Sequence, residues 1–216
     1  MTARCLVVGL AIGLWLVAGA AAREPATTNG TGDPMDLARF RPDVAARAIF
    51  EESNRQRAAA GLPKLAPLAG AQTAAWWQTQ HMAQAGAISH VNPSDPSRRT
   101  LEDRIRSAGI TFRFIAENVA VNFAINYEAR RPVYPRRGPE GEMLFSYTGD
   151  GPPLPPHTYA TFARAIVSQW MNSAGHRQNL LSREAKYLGC AALPGRRDQH
   201  GGLGSIYGAQ VFVTTR

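Results

Sequence analysis

Two apolar segments at the end of the chain constrain the fold most: "KYLGCAAL" at residues 186–193 and "SIYGAQVFVTT" at 205–215. Each is short, partly β-branched or aromatic, and bounded by turn formers, which is the signature of a strand. The basic, glycine-rich "PGRRDQHGG" between them, residues 194–202, is a turn. The two segments therefore read as an antiparallel hairpin with a long loop. Most of the helical periodicity lies upstream. Helices first and a terminal strand pair predict an α+β fold, with helices packed on an antiparallel sheet.

The helical segments carry their own start and stop signals. "PDVAARAIFEESNRQRAAAG", residues 42–61, puts Val44, Ala45, Ala48 and Ile49 on one side, with Pro42 and Asp43 in a first turn and Gly61 at the end. "PLAGAQTAAWWQTQHMAQAG", residues 67–86, spaces Leu68, Ala71, Ala75 and Met82 as a core face. "TLEDRIRSAG", residues 100–109, is a short helix with Thr100 as N-cap and Gly109 just past its end. "TYATFARAIVSQWMNS", residues 158–173, shows a face of Phe162, Ala165, Ile166 and Trp170. Between the last two lies "FRFIAENVAVNFAI", apolar and partly β-like, interrupted by Glu117 and Asn118. Residues 126–157 differ in kind. They are loaded with Pro, Gly and Arg, and read as a long surface insertion.

The first 22 residues are set apart from the fold. Arg4 gives a positive start, residues 6–18 an apolar run, and Ala20, Ala21 and Ala22 a small-residue cleavage site. This is the pattern of a secretory signal peptide. The alternative is a retained anchor, because the uncharged run is borderline for spanning a bilayer. With cleavage, no transmembrane span remains, and the expected location is secreted or periplasmic. Residues 23–39, rich in Thr, Gly, Pro and Ala, read as a flexible leader to a domain over 40–216.

Cleavage also removes Cys5, so Cys190 stands alone and no intrachain disulfide can form. Cys190 sits in an apolar strand without a neighbouring base and reads as a buried, inert thiol. Without Arg4 the formal charge falls from +8 to +7. An exported basic chain is drawn to anionic partners such as an envelope component or lipid headgroups. Nucleic acid is not the expected partner, since no aromatic-rich basic motif is present.

Five histidines are candidates for chemistry. His81 lies inside a helix, His157 after a proline run, and His200 in the glycine-rich turn; none has a partner at metal-ligand spacing. His90 and His176 each follow a helix close to a glycine, Gly86 and Gly175. With Gly175 as the helix stop, His176 would lie near a helix C-terminus, where the dipole favours imidazolium. Protonation would then weaken any cation site on acidification. Glu117 places a carboxylate in an apolar run, which requires an imidazole, a set of backbone N–H groups or a cation as partner. Asn118 beside it suits holding backbone.

Six motifs then occur in order: "NRQRAAAGLPKL" (54–65), "MAQAGAISH" (82–90), "AENVA" (116–120), "WMNSAGHRQNLL" (170–181), "YLGCAA" (187–192) and "YGAQVF" (207–212). Together they resemble the bacterial branch of the CAP superfamily, the SCP domains of cysteine-rich secretory proteins, antigen 5 and pathogenesis-related proteins. The resemblance spans nearly all of the chain after the leader. It implies a three-layer α-β-α sandwich with a central antiparallel sheet. It also implies a cleft lined by His90, Glu117 and His176, with the two histidines able to hold a divalent cation such as Zn. Eukaryotic relatives carry a second acid where this chain has Ser173, so the chain resembles the bacterial form with an incomplete tetrad, and the cleft's negative charge is reduced. Asn118 and Asn179 match amide positions that look structural, and Trp170, with Trp76 or Trp77, is expected to anchor the core. Three functions are compatible with the resemblance: a binding module for an anionic envelope component, a lipid or a protein ligand; a metal-dependent hydrolase, peptidase- or esterase-like, with Glu117 as general base; or a structural or stress-associated surface protein with a vestigial cleft. A Ser173–His176 catalytic pair is disfavoured by the helix break expected at Gly175.

Overall fold

The computed structural model of the chain describes residues 30–128, 131–196 and 202–216. The expected signal peptide, residues 23–29 of the leader and His200 lie outside the described residues. The elements run α1 (Pro42–Ala59), β1 (Ala66–Pro67), α2 (Ala69–Ala85), α3 (Leu101–Ser107), β2 (Phe112–Phe123), β3 (Tyr134–Arg137), β4 (Met143–Ser146), α4 (Tyr159–Met171), α5 (Ala174–Leu180), β5 (Tyr187–Pro194) and β6 (Ser205–Thr215).

The terminal hairpin forms the centre of the sheet. β5 pairs antiparallel with β6 from Tyr187–Val213 to Pro194–Ile206, and β6 pairs antiparallel with β2 along its length. The strand order is β1-β5-β6-β2, with only the two-residue β1 parallel to its neighbour. β2 is therefore an edge strand. "FRFIAENVAVNF" runs as one strand through Glu117 and Asn118, because alternate side chains leave opposite faces and neither residue interrupts the ladder.

The period of two divides the core. Leu188, Cys190, Ala192, Ile206 and Phe212 join α1, α4 and α5 on one face. Ala191, Tyr207, Ala209, Val211 and Val213 join α2 and α3 on the other. Three layers, α-β-α, result. Both faces are apolar because both are covered, which explains why the terminal segments read as continuous apolar runs rather than alternating ones. Gly189 sets the spacing of α2, since a Cβ there would lie 2.1 Å from the carbonyl carbon of Ala71.

Local signals explain most helix ends. Thr100 and Asp103 form a capping box on α3, and Thr158 and Thr161 form one on α4. Gly86 closes α2 in the left-handed region. "NRQR" at the end of α1 is structural. The Asn54 amide bonds both N–H and C=O of Leu65. Buried Arg57 donates to the carbonyls of Pro63, Leu180 and Ser182, tying α1 to the C-terminus of α5.

Three expectations change. The leader is docked from Gly30 onward: Met35 is buried, its N–H donates to the His157 carbonyl, and Pro34 bridges to Thr158. The insertion carries a hairpin, β3–β4, with Phe145 buried. Four-residue strands containing Pro135 give too little periodicity to be read from sequence. Of the three tryptophans considered as anchors, Trp170 is fully buried, Trp77 is half-buried beneath the Arg98 guanidinium at 4.0 Å, and Trp76 is exposed.

Candidate functional site

The site forms where the outer edge of β2 meets both helical layers. Glu117 leaves β2 towards the α2–α3 layer, and Asn118 leaves it towards α1, α4 and α5. Glu117 is buried, yet both its oxygens are matched. Oε2 accepts from the Arg104 guanidinium at 2.6 Å, and Oε1 lies 2.8 Å from Nδ1 of His90. Arg104 comes from α3 and is completely buried. Its other NH group contacts the carbonyls of Arg98 and Arg99, with His90 O at 3.4 Å, so one side chain fixes both the carboxylate and the loop bearing His90. His90 itself projects towards solvent. Its hydrogen bond to Glu117 raises its pKa, against burial and the charge of Arg104, which lower it.

Asn118 organises the other side. Its Nδ2 donates to Oε1 of Gln210 and to the carbonyl of His176, each at 3.0 Å. Gln210 donates in turn to Ser53 of α1, and Ser53 to the Ile49 carbonyl. Asn179 donates to Oδ1 of Asn118 at 2.9 Å and to the Glu117 carbonyl at 3.2 Å. The short helix α5 is thereby held against the β2 edge, with half-buried His176 on it. The pKa of His176 is lowered, first by burial and then by the charge of His90. His81, half-buried on α2, is lowered by burial and then by Arg104.

The position of His176 corrects an expectation. Gly175 does not stop a helix. α4 ends at Met171, Ser173 is extended at φ −105° and ψ 125°, and α5 begins at Ala174. His176 therefore lies in the first turn of a new helix, at the end where the dipole disfavours imidazolium. The direction of its pKa shift agrees. Ser173 heads this helix without a side-chain cap bond.

Glu117 needs a partner on sequence grounds; it has two, an imidazole and a buried guanidinium. Sequence reasoning missed Arg104. The available signal was its place one residue before buried Ile105, on the inner face of α3 in "LEDRIRS". Cys190 is buried and its thiol is pushed well up by burial.

The donors fit a resident cation poorly. A carboxylate on His90 Nδ1 would leave Nε2 for a metal, as it does in many metal-binding histidines. Yet Glu117 has no oxygen free of partners, Arg104 places a fixed positive charge against it, and Ser173 brings no carboxylate. Two imidazoles remain, whereas zinc sites in proteins use three or four protein ligands. Among the described residues, no three His, Cys, Asp or Glu side chains come together to hold a metal. The geometry instead offers a fixed imidazole donor, a neighbouring neutral imidazole and a braced strand edge.

Comparison with known proteins gives the fold its relatives. The model of the Cysteine-rich secretory protein family matches residues 50–214. An extracellular protein with an SCP domain from Bacillus anthracis superposes with a TM-score of 0.51 at 22% identity, covering 81% of this chain and 41% of that one. An outer surface protein from Borrelia burgdorferi also superposes at 0.51, with 14% identity, covering 79% of this chain and 92% of that one. The chain thus spans less than half of the Bacillus protein. No curated protein matches the sequence. Among the described residues, no helix is long and apolar enough to cross a membrane.

Proposed function

This chain belongs to the Cysteine-rich secretory protein family, and from that premise we propose that it is an exported binding module. It takes an envelope, lipid or protein ligand in the cleft walled by His90, Glu117, Ser173 and His176. The extracellular and surface settings of its structural neighbours support export. Fold alone carries no activity, so the reading rests on the site.

One observation carries it. Both oxygens of Glu117 are engaged, one by a guanidinium with no exposure to solvent. A general base must reach the proton it removes, and this carboxylate is spent on Arg104 and His90. What faces the cleft is His90, held at Nδ1 with its remaining nitrogen outward. With Nδ1 on Glu117 and its pKa raised, His90 becomes a charged donor on mild acidification, suited to a phosphate, carboxylate or carbonyl oxygen. The pKa of His176 is lowered by burial and by His90, and its neutral ring can donate or accept.

The test pairs two measurements on the full exported chain. Co-sedimentation with phosphatidylglycerol vesicles and with peptidoglycan is expected to fall in the His90→Ala, His176→Ala double variant. Incubation with peptide, ester and peptidoglycan substrates is expected to give no turnover. Turnover that disappears in Glu117→Ala while the fold persists would end this reading in favour of the hydrolase.

A further inference from the structure

A separate groove adjoins the cleft, between the last residues of β2, the helix α4 and the ends of the insertion. It encloses about 540 Å³, within the ~300–1,000 Å³ of small-molecule sites. Ser173 lines it and also heads α5, which carries His176. The groove is therefore continuous with the element that builds the cleft.

Its chemistry differs from that of the cleft. Among the described residues, no Asp, Glu, Lys or Arg lines it, on a chain with a formal charge of +8. His157 is buried, bonded through Nδ1 to Thr161, and held neutral with a pKa lowered to about 4 by burial and by Arg164. The Tyr127 phenol is raised by burial and stays protonated. An ion entering this groove would shed water and find no countercharge. The groove offers amides instead. Asn122 on β2, Gln169 on α4 and Asn172 just past the end of α4 line it. Asn122 accepts from the Phe123 N–H and donates to Gln169 Oε1, which leaves one N–H of Asn122, the NH2 of Gln169 and the Asn172 amide to meet a ligand. Beside them stand two aromatic rings, Phe123 and Tyr127, with centroids 5.9 Å apart and tilted by 49°.

Amides that donate and accept, set beside aromatic faces and free of charge, complement a ring with hydroxyls at its rim and C–H bonds on its faces. The hydroxyls pair with the amides, and the C–H face lies on the rings. A peptide added as a strand would need the free edge of β2. That edge is engaged at two backbone points, the Phe123 N–H by Asn122 Oδ1 and the Glu117 carbonyl by Asn179.

We propose that this groove is a saccharide site, taking uncharged pyranose rings of a glycan through Asn122, Gln169 and Asn172 with Phe123 and Tyr127 as stacking faces. The assignment rests on the binding reading above and names a ligand class for the surface beside its cleft.

Isothermal titration of the full exported chain with four probes tests it: N,N′,N″-triacetylchitotriose, its cationic de-acetylated trimer, trigalacturonate and trialanine. Binding of the neutral trisaccharide alone is expected. Gln169→Ala and Tyr127→Ala are each expected to weaken it about tenfold. Gln178→Ala, exposed on α5 and outside both groove and cleft, should leave it within about twofold. Gln169 is exposed on α4, so its truncation keeps the fold, and a melting curve checks each variant. No binding of the neutral trisaccharide, equal binding of a charged trimer or of trialanine, or wild-type affinity in both groove variants overturns the proposal. Triacetylchitotriose binding without any cleft ligand would sink the cleft reading alone. Vesicle or peptidoglycan binding that needs His90 and His176, without triacetylchitotriose binding, would sink the groove alone.

Discussion

Glu117 and Asn118 are neighbours in one strand, both buried, and they meet opposite problems. Glu117 is satisfied by charge: a buried guanidinium on one oxygen and an imidazole that reaches solvent on the other. Asn118 is satisfied by neutral amides, in a chain running from Ser53 through Gln210 to Asn179. The neutral network ends on a backbone carbonyl of α1 and ties four elements together, α1, β6, β2 and α5. The charged one leaves Nε of Arg104 buried without a hydrogen-bond partner, an imperfect solution for stability. Buried ion pairs are often no better than apolar residues of the same volume. The amide side holds α5 to the sheet, whereas the charged side fixes the His90 ring and the loop that bears it.

Removing one partner of the charged side should have the largest effect. Arg104→Met leaves a buried carboxylate with only His90, and a loss of about 3–5 kcal/mol is expected in chemical denaturation. Adding Glu117→Gln should return much of it, since the stranded charge is then gone. A single-variant loss below about 1 kcal/mol would mean that water already reaches Glu117, and the contrast would collapse. Asn118→Ala should cost less, about 1–3 kcal/mol, because it strands neutral groups on Gln210, Asn179 and the His176 carbonyl. A loss larger than that of Arg104→Met would reverse the ranking of the two sides.

A third effect is read by histidine NMR rather than by stability. Glu117→Gln should lower the His90 titration midpoint towards the ordinary value of ~6.5, because its hydrogen bond to the carboxylate is the first cause of the rise. The sign for stability follows. His90 is raised on folding, so its contribution is fully present below the unfolded pKa and fades as pH rises through the folded one. The Glu117→Gln variant should lose that dependence. An unchanged midpoint would separate His90 from Glu117 in solution.

The hairpin, α3 and α4 were legible in the sequence because the terminal strand pair, the Thr100 and Gly109 signals of α3 and the apolar face ending at Trp170 are local patterns, whereas the three-layer arrangement came only with the family resemblance. What escaped is non-local or conformationally ambiguous. Arg104 and Glu117 stand thirteen residues apart and meet only when α3 lies on the sheet. Gly175 suggested a helix stop, yet a glycine also fits inside a helix. The break falls at Ser173, a residue type that favours the N-cap position. The insertion looked basic from its arginines, but over residues 126–157 four Arg are balanced by Glu128, Glu140, Glu142 and Asp150. Its contribution lies in Tyr127 and His157 at its two ends, beside the groove, which composition could not reveal.

Zinc is the gentlest probe of the same contrast. If the negative charge of Glu117 is spent inside the protein, the cleft has two imidazoles to offer, and one of them holds its proton more tightly than usual. A cation must displace that proton and stand near Arg104. A ligand present at its own dissociation constant stabilises by about 0.4 kcal/mol, or roughly 1 °C in melting temperature for a chain of this size. A shift no larger than that is expected in millimolar zinc, greatest at alkaline pH where His90 is neutral. A rise of several degrees that vanishes in the His90→Ala, His176→Ala variant would show that the ion pair yields to a metal. Glu117 would then be a carboxylate that orients a metal ligand, rather than one neutralised in place.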